Sequence, residues 1–491
     1  MLGTLKFSSR VQYGRNKRNV PYYLFDPDIH SNEGYIVVAS KQGMKSRVDH
    51  YSKVQILEKN INPVRGGLLK LIGPVNDYDA TKEYILEKNN INKKNNIMCS
   101  YSNNDKECDF QEFTYSIDPK GSKDIDDAFS YDFKNKILSI HITDLSNLEI
   151  SNLDELVNRA FTFYDSEFNI NLFPENISEN DFSLIENEVR NVITMNINLN
   201  DGSHTFTRNK IRVFKNLSYE DADNFLINSD KWITMKNDLA TYFGEISDSH
   251  KLIEKMMIEY NSKFSLFLEN VTESYPIRIH KGIKQDILQD LIDLNLIDNN
   301  LKNKICFYAA EYVDNKLSEE KNHKHLNLQK YTHATSPLRR VIDVINQKIA
   351  FNSHNFDIKE ICDKINERNK SFKKAYNDIK ILNLINENEN DNKIFDGIIL
   401  GFDNFRIKVY IMELDIVKSI DLFNGKMQKI FFINNQDETS VRIFHRTTKQ
   451  SINLKIYQKI KLLSFINKFE SRLHKKLKFF IKEPNLIDLL D

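Results

Sequence analysis

The residues best suited to catalysis or metal binding form an acidic segment at 117–129, IDPKGSKDIDDAF. It places four aspartates, Asp118, Asp124, Asp126 and Asp127, close together, although aspartate favours neither helices nor strands. Two carboxylates about 6 Å apart repel by roughly 3 kcal/mol at an effective dielectric constant near 20. A fold tolerates this when a cation offsets the repulsion or when the side chains point into water. The interleaved apolar residues predict partial burial, and a solvated acidic turn is the alternative.

The acidic segment leads into a predicted β-hairpin. Its strands, AFSYDF and ILSIHIT, flank a turn at residues 134–136, which places Phe133 opposite Ile137. Extending this register places Asp144 across from Asp126. We therefore expect a fifth carboxylate beside the acidic cluster, because paired residues on neighbouring strands share one face of the sheet.

A second segment, KYTHATSPLRRVIDVI, has the features of a helix start. Ser336 or Thr335 suits the N-cap, Pro337 suits the first helical position, and apolar residues follow at helical spacing. Arg339 and Arg340 then fall in the first turn, where the helix dipole disfavours a cation by about 0.3–1 kcal/mol. Two arginines at this position are explained if an anion docks there.

Backbone N–H groups and guanidinium groups at a helix start together form a phosphate site. The alternative is an ion pair with a neighbouring carboxylate such as Asp343, which suits Arg339 but leaves the TSPLRR run unexplained. A carboxylate cluster and an arginine-rich helix start in one chain indicate metal-assisted phosphoryl transfer. Oxygen ligands favour a hard ion, Mg²⁺ or alternatively Mn²⁺, over zinc. The sequence contains neither an EF-hand pattern nor a Walker motif.

The remaining sequence must supply the elements that position these side chains. Its 491 residues, 40% of them hydrophobic, suffice for about three domains. Residues 1–90 contain short alternating runs typical of an OB-like or cold-shock-like β-barrel of about five strands. Residues 91–109 are interpreted as a linker, and residues 110–388 combine early strands with later helices. Residues 392–491 return to alternation and predict a second OB-like barrel that binds RNA, with a structural cap as the alternative.

Apolar residues at helical spacing predict the helices of the central region. These helices are predicted at 153–168, 248–268, 283–297, 304–317, 337–350 and 357–385. Ser151 or Asn152 suits the first cap and Asp248 the second. The predicted fold class is therefore α+β, with a mixed central domain between two small β-barrels.

Global composition excludes some classes of protein. Lys+Arg and Asp+Glu are both 69, so the whole chain has no electrostatic preference for nucleic acid. No apolar run is long enough to span a membrane, and the four cysteines lack the spacing of a metal site. We expect a soluble intracellular monomer without a membrane partner, in the cytoplasm or alternatively in a viral or organellar context. The protein partners of the chain stay unknown from its sequence.

The two chemical segments, together with LSIHITDLS between them, closely resemble the signature segments of the ribonuclease II (RNB) family of exoribonucleases. The resemblance covers roughly residues 110–385. It implies an RNB-type catalytic domain that hydrolyses single-stranded RNA processively from 3′ to 5′, with Mg²⁺, and releases 5′-nucleotides. The sequence departs from the family at Val341 and Asn346, where the family usually has tyrosine and histidine.

The resemblance also implies roles for individual residues. Asp118, Asp124 and Asp127 match the metal-associated carboxylates of the family. Asp126 matches the aspartate whose loss abolishes chemistry, and Arg339 matches the arginine that stabilises charge on the scissile phosphate.

The remaining matched residues are expected to contact RNA. They are Thr335, Ser336, Arg340 and, as aromatic positions near the terminal nucleotides, Tyr164 and Tyr219. The alternative function is that of a catalytically impaired RNA-binding regulator, because some relatives keep the fold and lose the chemistry. A structural component of a larger RNA-decay or viral assembly is a third hypothesis.

Overall fold

A computed structural model gives the fold of the chain, which divides into two compact units. One, the central unit, contains the described residues of 92–284 and 307–370, and the other, the terminal unit, contains those of 1–91 and 371–491. The acidic segment and the arginine pair both lie in the central unit. The structure describes residues 1–11, 13–28, 35–58, 61–101, 113–283, 309–352, 356–387, 393–403, 406–421, 430–434, 440–445, 451–467, 470 and 473–484.

The N-terminal part of the terminal unit is a closed five-stranded barrel, as the alternating pattern predicts. Around the barrel, the strands are Leu2–Leu5, Tyr22–Pro27, Ile36–Ala39, Val64–Pro74 and His50–Glu58. Buried side chains such as Leu5, Phe25 and Val54 fill its interior. The helices Gln42–Lys45 and Tyr78–Lys88 belong to the same part of the chain.

The C-terminal part of the terminal unit contains two antiparallel sheets. The first has the strand order Ile416–Asp421, Arg406–Ile411, Ile394–Asp403, Lys459–Ile466 and Leu477–Glu483. The second has the order Ile430–Asn434, Ser440–His445 and Ser451–Lys455. Apolar residues of the first sheet, including Ile399 and Leu462, share one core with Ile385 from the preceding helix. A short helix, Leu473–Lys476, precedes the last strand.

The central unit is built on a six-stranded sheet. From edge to edge, its strands are His204–Arg212, Val189–Asn198, Ile137–Thr143, Asp127–Asp132, Thr114–Asp118 and Lys215–Ser218. The unit also contains three separate two-stranded sheets: Cys99–Ser100 with Glu149–Ile150, Phe163–Tyr164 with Asn169–Ile170, and Pro276–Ile279 with Glu311–Asp314. The acidic segment therefore connects two neighbouring strands near the middle of the six-stranded sheet.

The hairpin after the acidic segment has a register one residue away from the predicted one. Asp132 lies opposite Ile137, and a turn of residues 133–136 joins the two strands. Lys136 has a left-handed backbone conformation, with φ of 53°. The predicted turn was one residue shorter, so the pairing of Phe133 with Ile137 is wrong.

This shift moves Asp144 away from the acidic cluster. The N–H of Thr143, not of Asp144, faces Asp126 and donates to its carbonyl oxygen at 3.0 Å. A one-residue shift exchanges the two faces of a strand, so the prediction of a fifth carboxylate in the cluster is wrong. Asp144 instead pairs with Arg208, whose Nε lies 2.7 Å from Asp144 Oδ2.

The helices of the central unit pack around the sheet and share its apolar core. They are Leu153–Arg159, a π-helical turn at Asn176–Asp181, Tyr219–Asn228, Asp230–Phe243, Ser249–Val271 and Val341–Asn352; helix Ile358–Glu387 begins in this unit. Asn152 and Asp248 cap two of these helices through their side chains, as predicted. Buried Leu252, Met256 and Tyr260 confirm that the apolar stripe of the long helix belongs to the core.

Two helix predictions are wrong, and one lies mostly outside the described residues. The helix predicted at 153–168 ends at Arg159, because Ala160 has φ of 62° and the chain then forms a hairpin. Within the helix predicted at 304–317, the described residues contain the strand Glu311–Asp314. The helix predicted at 283–297 falls outside the described residues except at its first position.

The fold class is α+β, with a five-stranded barrel at the N-terminus, as predicted. The domain boundaries proposed from the sequence stay predictions. Across the part of the chain that the structure describes, no helix is long and apolar enough to cross a membrane.

Candidate active site

The acidic segment is held in place by its apolar residues. Asp118 ends one strand of the sheet and Asp127 begins the next. The loop between them contains Ile125, whose side chain is buried. The N–H of Ile125 donates to Ser183 Oγ at 3.1 Å, and its carbonyl oxygen accepts from Leu184 N–H at 3.0 Å. The predicted partial burial is confirmed, and a fully solvated acidic turn is excluded.

The arginine segment begins its helix later than predicted. The helix Val341–Asn352 is preceded by a turn, and the backbone N–H of Ser336 donates to Asp343 Oδ1 at 2.8 Å. The hydroxyl of Ser336 accepts from Arg339 Nη2 at 2.8 Å, so it contacts an arginine instead of capping the helix. The predicted capping role of Ser336 is therefore wrong, because the helix begins only at Val341 and the Ser336 hydroxyl contacts the Arg339 side chain.

Arg340, and not Arg339, makes the ion pair with Asp343. Arg340 Nη2 lies 2.8 Å from Asp343 Oδ1 and 3.2 Å from Thr335 Oγ1. This bonding fixes Arg340 against the turn and leaves Arg339 available for other contacts. The ion pair with Asp343 that the sequence offered for Arg339 is thus made by Arg340 instead.

Asp126 joins the acidic segment to the arginine segment. Its Oδ1 accepts from the N–H of Leu338 at 2.8 Å, and its Oδ2 accepts from Arg339 Nε at 3.1 Å. The Asp126 side chain is only 2% exposed, whereas the Arg339 side chain is 43% exposed. Burial raises the pKa of Asp126 well above its usual value, against the opposing effects of Arg339 and the Leu338 N–H. The contact therefore anchors one edge of a guanidinium group that still faces the solvent.

The ten residues predicted for the site line a single cavity of about 420 Å³. They are Asp118, Asp124, Asp126, Asp127, Tyr164, Tyr219, Thr335, Ser336, Arg339 and Arg340. The structure thus brings together segments that lie far apart in the sequence: Asp126 and Arg339 are 213 positions apart.

Two further aspartates of the cavity have raised pKa values. Burial and the nearby Asp127 raise the pKa of Asp118 to about 7. Burial raises the pKa of Asp127 to about 6, although Arg339 and Arg340 oppose this rise. Asp118 Oδ2 is buried without a hydrogen-bond partner, which is costly for a carboxylate oxygen unless another ligand meets it.

These carboxylates suit a hard divalent cation that also binds water and substrate phosphate. Within the described ranges, no group of three or more His, Cys, Asp or Glu side chains is arranged to hold a metal ion by itself. Small hard cations such as Mg²⁺ are usually bound by one or two carboxylates, and water and substrate phosphate complete the shell. The unpartnered oxygen of Asp118 suits such a partly hydrated ion.

The two predicted aromatic residues have different surroundings. The ring of Tyr219 stacks on His250, with 3.7 Å between centroids and 11° between planes. Burial raises the pKa of the Tyr219 hydroxyl, and the charges of Asp127 and Asp118 raise it further. The hydroxyl of Tyr164 donates to Asp124 Oδ2 at 2.5 Å. The rings of both residues border the cavity, but the Tyr164 hydroxyl already has a partner among the carboxylates.

The sequence analysis missed Asn261, which supports the arginine segment. Its Nδ2 donates to Tyr331 OH at 3.1 Å and to Thr335 Oγ1 at 3.3 Å, and its Oδ1 accepts from Ala334 N–H at 2.7 Å. Asn261 is buried beside Tyr260 on the helix Ser249–Val271. A buried amide next to an apolar stripe is the signal that could have revealed it.

Asn346, one of the departures from the family pattern, has a similar supporting position. Its Nδ2 donates to Thr332 Oγ1 at 2.7 Å and to the carbonyl oxygen of His333 at 2.9 Å. The other departure, Val341, is fully buried in the apolar core. Neither residue lines the cavity.

Comparison with known proteins finds ribonucleases among the relatives of the chain. The chain is 25% identical to ribonuclease R of Chlamydia pneumoniae over 319 residues, which cover 50% of this chain and 47% of that protein. It is 24% identical to exoribonuclease 2 of Buchnera aphidicola over 350 residues, 54% of each chain. The chain therefore spans about half the length of the curated relatives it matches.

Solved structures share the fold at lower identity. Mycoplasma genitalium RNase R in complex with ribose-methylated single-stranded RNA has a TM-score of 0.72 at 17% identity, covering 98% of this chain and 89% of that chain. Yeast Ssd1, a pseudonuclease, has a TM-score of 0.63 at 14% identity, covering 91% and 68%. The fold is therefore shared by a ribonuclease and by a pseudonuclease.

A family model identifies the region that contains the cavity. Residues 109–243 and 229–352 match the RNB domain, and these ranges include both the acidic segment and the arginine segment. The curated relatives are ribonucleases of the R and exoribonuclease 2 types. The chain carries an RNB domain and belongs to the RNB family.

Proposed function

We propose that the protein is a metal-dependent exoribonuclease that hydrolyses single-stranded RNA processively from 3′ to 5′ and releases 5′-nucleotides. One observation carries this proposal: buried Asp126 anchors exposed Arg339 at the edge of a cavity lined by three further aspartates. The cavity thus combines negative groups for a cation with a positive group for a phosphate. Such a pairing serves metal-assisted hydrolysis of a phosphodiester.

Asp118, Asp124 and Asp127 are the proposed metal-associated carboxylates for Mg²⁺, or alternatively Mn²⁺: one or two of them would bind the cation directly, and water and substrate phosphate would complete its shell. When bound there, the cation supplies a polarised phosphate and an activated water. Asp118 has an unpartnered oxygen available for it, and Asp127 lies close enough for the two charges to interact.

Arg339 is the proposed stabiliser of negative charge that develops on the scissile phosphate. Asp126 and Ser336 hold two nitrogens of its guanidinium group, so the group is oriented before RNA arrives. A preorganised cation costs no rearrangement during the reaction, which makes it effective in the transition state. Arg340, fixed by Thr335 and Asp343, adds positive charge for the RNA backbone.

The second candidate function is RNA binding without catalysis, because a pseudonuclease shares the fold. The two candidates differ in the fate of bound RNA. We expect 5′-labelled single-stranded RNA to shorten progressively from its 3′ end on addition of Mg²⁺, and uniformly labelled RNA to yield 5′-mononucleotides on chromatography. Binding that persists in EDTA without any shortening after Mg²⁺ is added would favour the second function. Matched DNA of the same sequence tests sugar discrimination.

We expect Mg²⁺ to stabilise the folded protein, and more above pH 7 than below pH 6. Asp118 and Asp127, with pKa values of about 7 and about 6, hold protons in the folded state that the unfolded chain has released. In the metal-free protein, this protonation stabilises the folded state at low pH. That contribution to the folding stability is lost as the pH rises through 6 to 7. A cation replaces these protons, so its stabilising effect grows over the same range.

Thermal unfolding with and without Mg²⁺ at several pH values measures this effect. A stabilisation of about 1 kcal/mol corresponds to a rise in Tm of roughly 2–4 °C for a domain of this size. Asp118→Asn should remove most of the rise, whereas Asp154→Asn, which changes a carboxylate that is 85% exposed, should keep it. An equal Mg²⁺ effect in both variants would contradict the proposed ligand role of Asp118.

A further inference from the structure

The residues before Tyr164 lie alongside the arginine segment. The N–H of Val341 donates to the carbonyl oxygen of Ala160 at 2.9 Å, and the N–H of Thr162 donates to the carbonyl oxygen of Arg339 at 3.0 Å. We call residues 160–164 the bracket segment. Its backbone therefore fixes the backbone of Arg339 from one side.

The bracket segment is itself held firmly. Phe163 is fully buried and pairs with Ile170 across the short hairpin. The hydroxyl of Thr162 accepts from the N–H of Leu172 at 3.0 Å. These contacts leave little freedom to the backbone that carries Tyr164, whose position follows from the hairpin.

From this fixed backbone, the side chain of Tyr164 reaches the acidic segment. Its hydroxyl donates to Asp124 Oδ2 at 2.5 Å, while its side chain remains 39% exposed at the border of the cavity. The bracket segment thus contacts both halves of the site: the backbone of Arg339 and the carboxylate of Asp124.

We propose that Tyr164 is a positioning residue for the metal site: its hydroxyl holds one oxygen of Asp124 so that the other is directed to the cation. This deepens the proposed function and rests on Asp124 being a metal ligand. Hydrogen bonds to ligating carboxylates restrict their rotation, and removing such a bond typically weakens metal binding roughly 10–100-fold. The bracket segment would also keep the cation at a constant distance from Arg339.

This role differs from base stacking in a way that one substitution can separate. Tyr164→Phe keeps the ring and removes only the hydroxyl. We expect its affinity for Mn²⁺, measured by electron paramagnetic resonance without RNA, to fall roughly tenfold. Its RNA degradation should recover at high Mg²⁺ concentration, which a loss of stacking would not allow.

The chain offers a matched control, a second tyrosine whose hydroxyl donates to an aspartate. Tyr131 donates to Asp238 Oδ2 at 2.8 Å, and neither residue lines the cavity. Tyr131→Phe should leave Mn²⁺ affinity unchanged. In an Asp124→Asn background, Tyr164→Phe should add no further loss, because coupled residues are not additive.

The outcomes separate this inference from the proposed function. Unchanged Mn²⁺ affinity in Tyr164→Phe overturns the inference even if the wild-type protein degrades RNA. Tighter binding also overturns it, because the hydroxyl would then compete with the cation, and so does a wild-type protein that binds no Mn²⁺. A tenfold loss in Tyr164→Phe alone supports the inference even if RNA is not degraded.

Discussion

Asp126→Asn is expected to reduce RNA degradation by about 10³-fold or more while RNA binding changes only a few-fold. The two oxygens of Asp126 accept from Leu338 N–H and from Arg339 Nε. An asparagine can accept only one of these bonds and presents an NH₂ donor to the other. Arg339 would therefore lose its orientation as well as its buried counter-charge.

The loss should appear in the single-turnover rate constant at saturating RNA and not in the binding constant. An unsatisfied buried donor costs about 1–3 kcal/mol, so thermal unfolding must show that the variant is folded. Asp154→Asn, on an exposed helix position, serves as the matched control for loss of a carboxylate. A rate constant for Asp126→Asn close to that of the control would contradict the account.

Arg339→Ala is expected to lower the same rate constant by about 10²–10³-fold, the usual cost of removing a preorganised group that stabilises transition-state charge. Arg339→Lys should recover little of this loss. An ammonium group cannot reproduce the planar pair of bonds that Arg339 makes to Asp126 and Ser336.

Arg340→Lys is the matched comparison for Arg339→Lys. Arg340 is held by Thr335 and Asp343 and is proposed to contact the RNA backbone, so its replacement should weaken RNA binding more than the rate. The double variant Asp126→Asn/Arg339→Ala should be little worse than either single variant, because the two residues act as a unit. A fully additive loss, or a rate for Arg339→Ala within tenfold of wild type, would show that the contact is not central to catalysis.

Spacing and helix-start chemistry predicted the two segments that meet in the site. The density of aspartates and the two arginines at a disfavoured helix end both indicated a charged ligand. The resemblance implied a role for Asp126 and a role for Arg339, but the contact between them was not predicted. It joins residues 213 positions apart, and no local pattern encodes it.

The position of Asp144 could not be predicted because it depends on the length of one turn. Asp132 Oδ1 accepts from the N–H groups of Lys134 and Asn135, which starts the turn one residue earlier than expected. Left-handed Lys136 then completes it. The sequence of the turn is compatible with either length, and the difference decides which face Asp144 occupies.

The helix predicted at 153–168 failed for a tertiary reason. The apolar residues after Ala160 have helical spacing, but the backbone of this part pairs with the arginine segment and with its own hairpin. Tertiary contacts override local propensity in such cases. The same residues form the bracket segment, so the error falls on a part of the chain with a proposed role in the site.

The most direct test of metal-dependent RNA hydrolysis through Asp126 starts from complexes of the protein with 5′-labelled single-stranded RNA formed in EDTA. Excess Mg²⁺ is then added to complexes of the wild-type protein and of Asp126→Asn in parallel. We expect the wild-type protein to convert its bound RNA into progressively shorter 5′-labelled products, whereas Asp126→Asn should keep its RNA intact. Intact RNA in both reactions, or equal shortening by both proteins, would contradict this expectation.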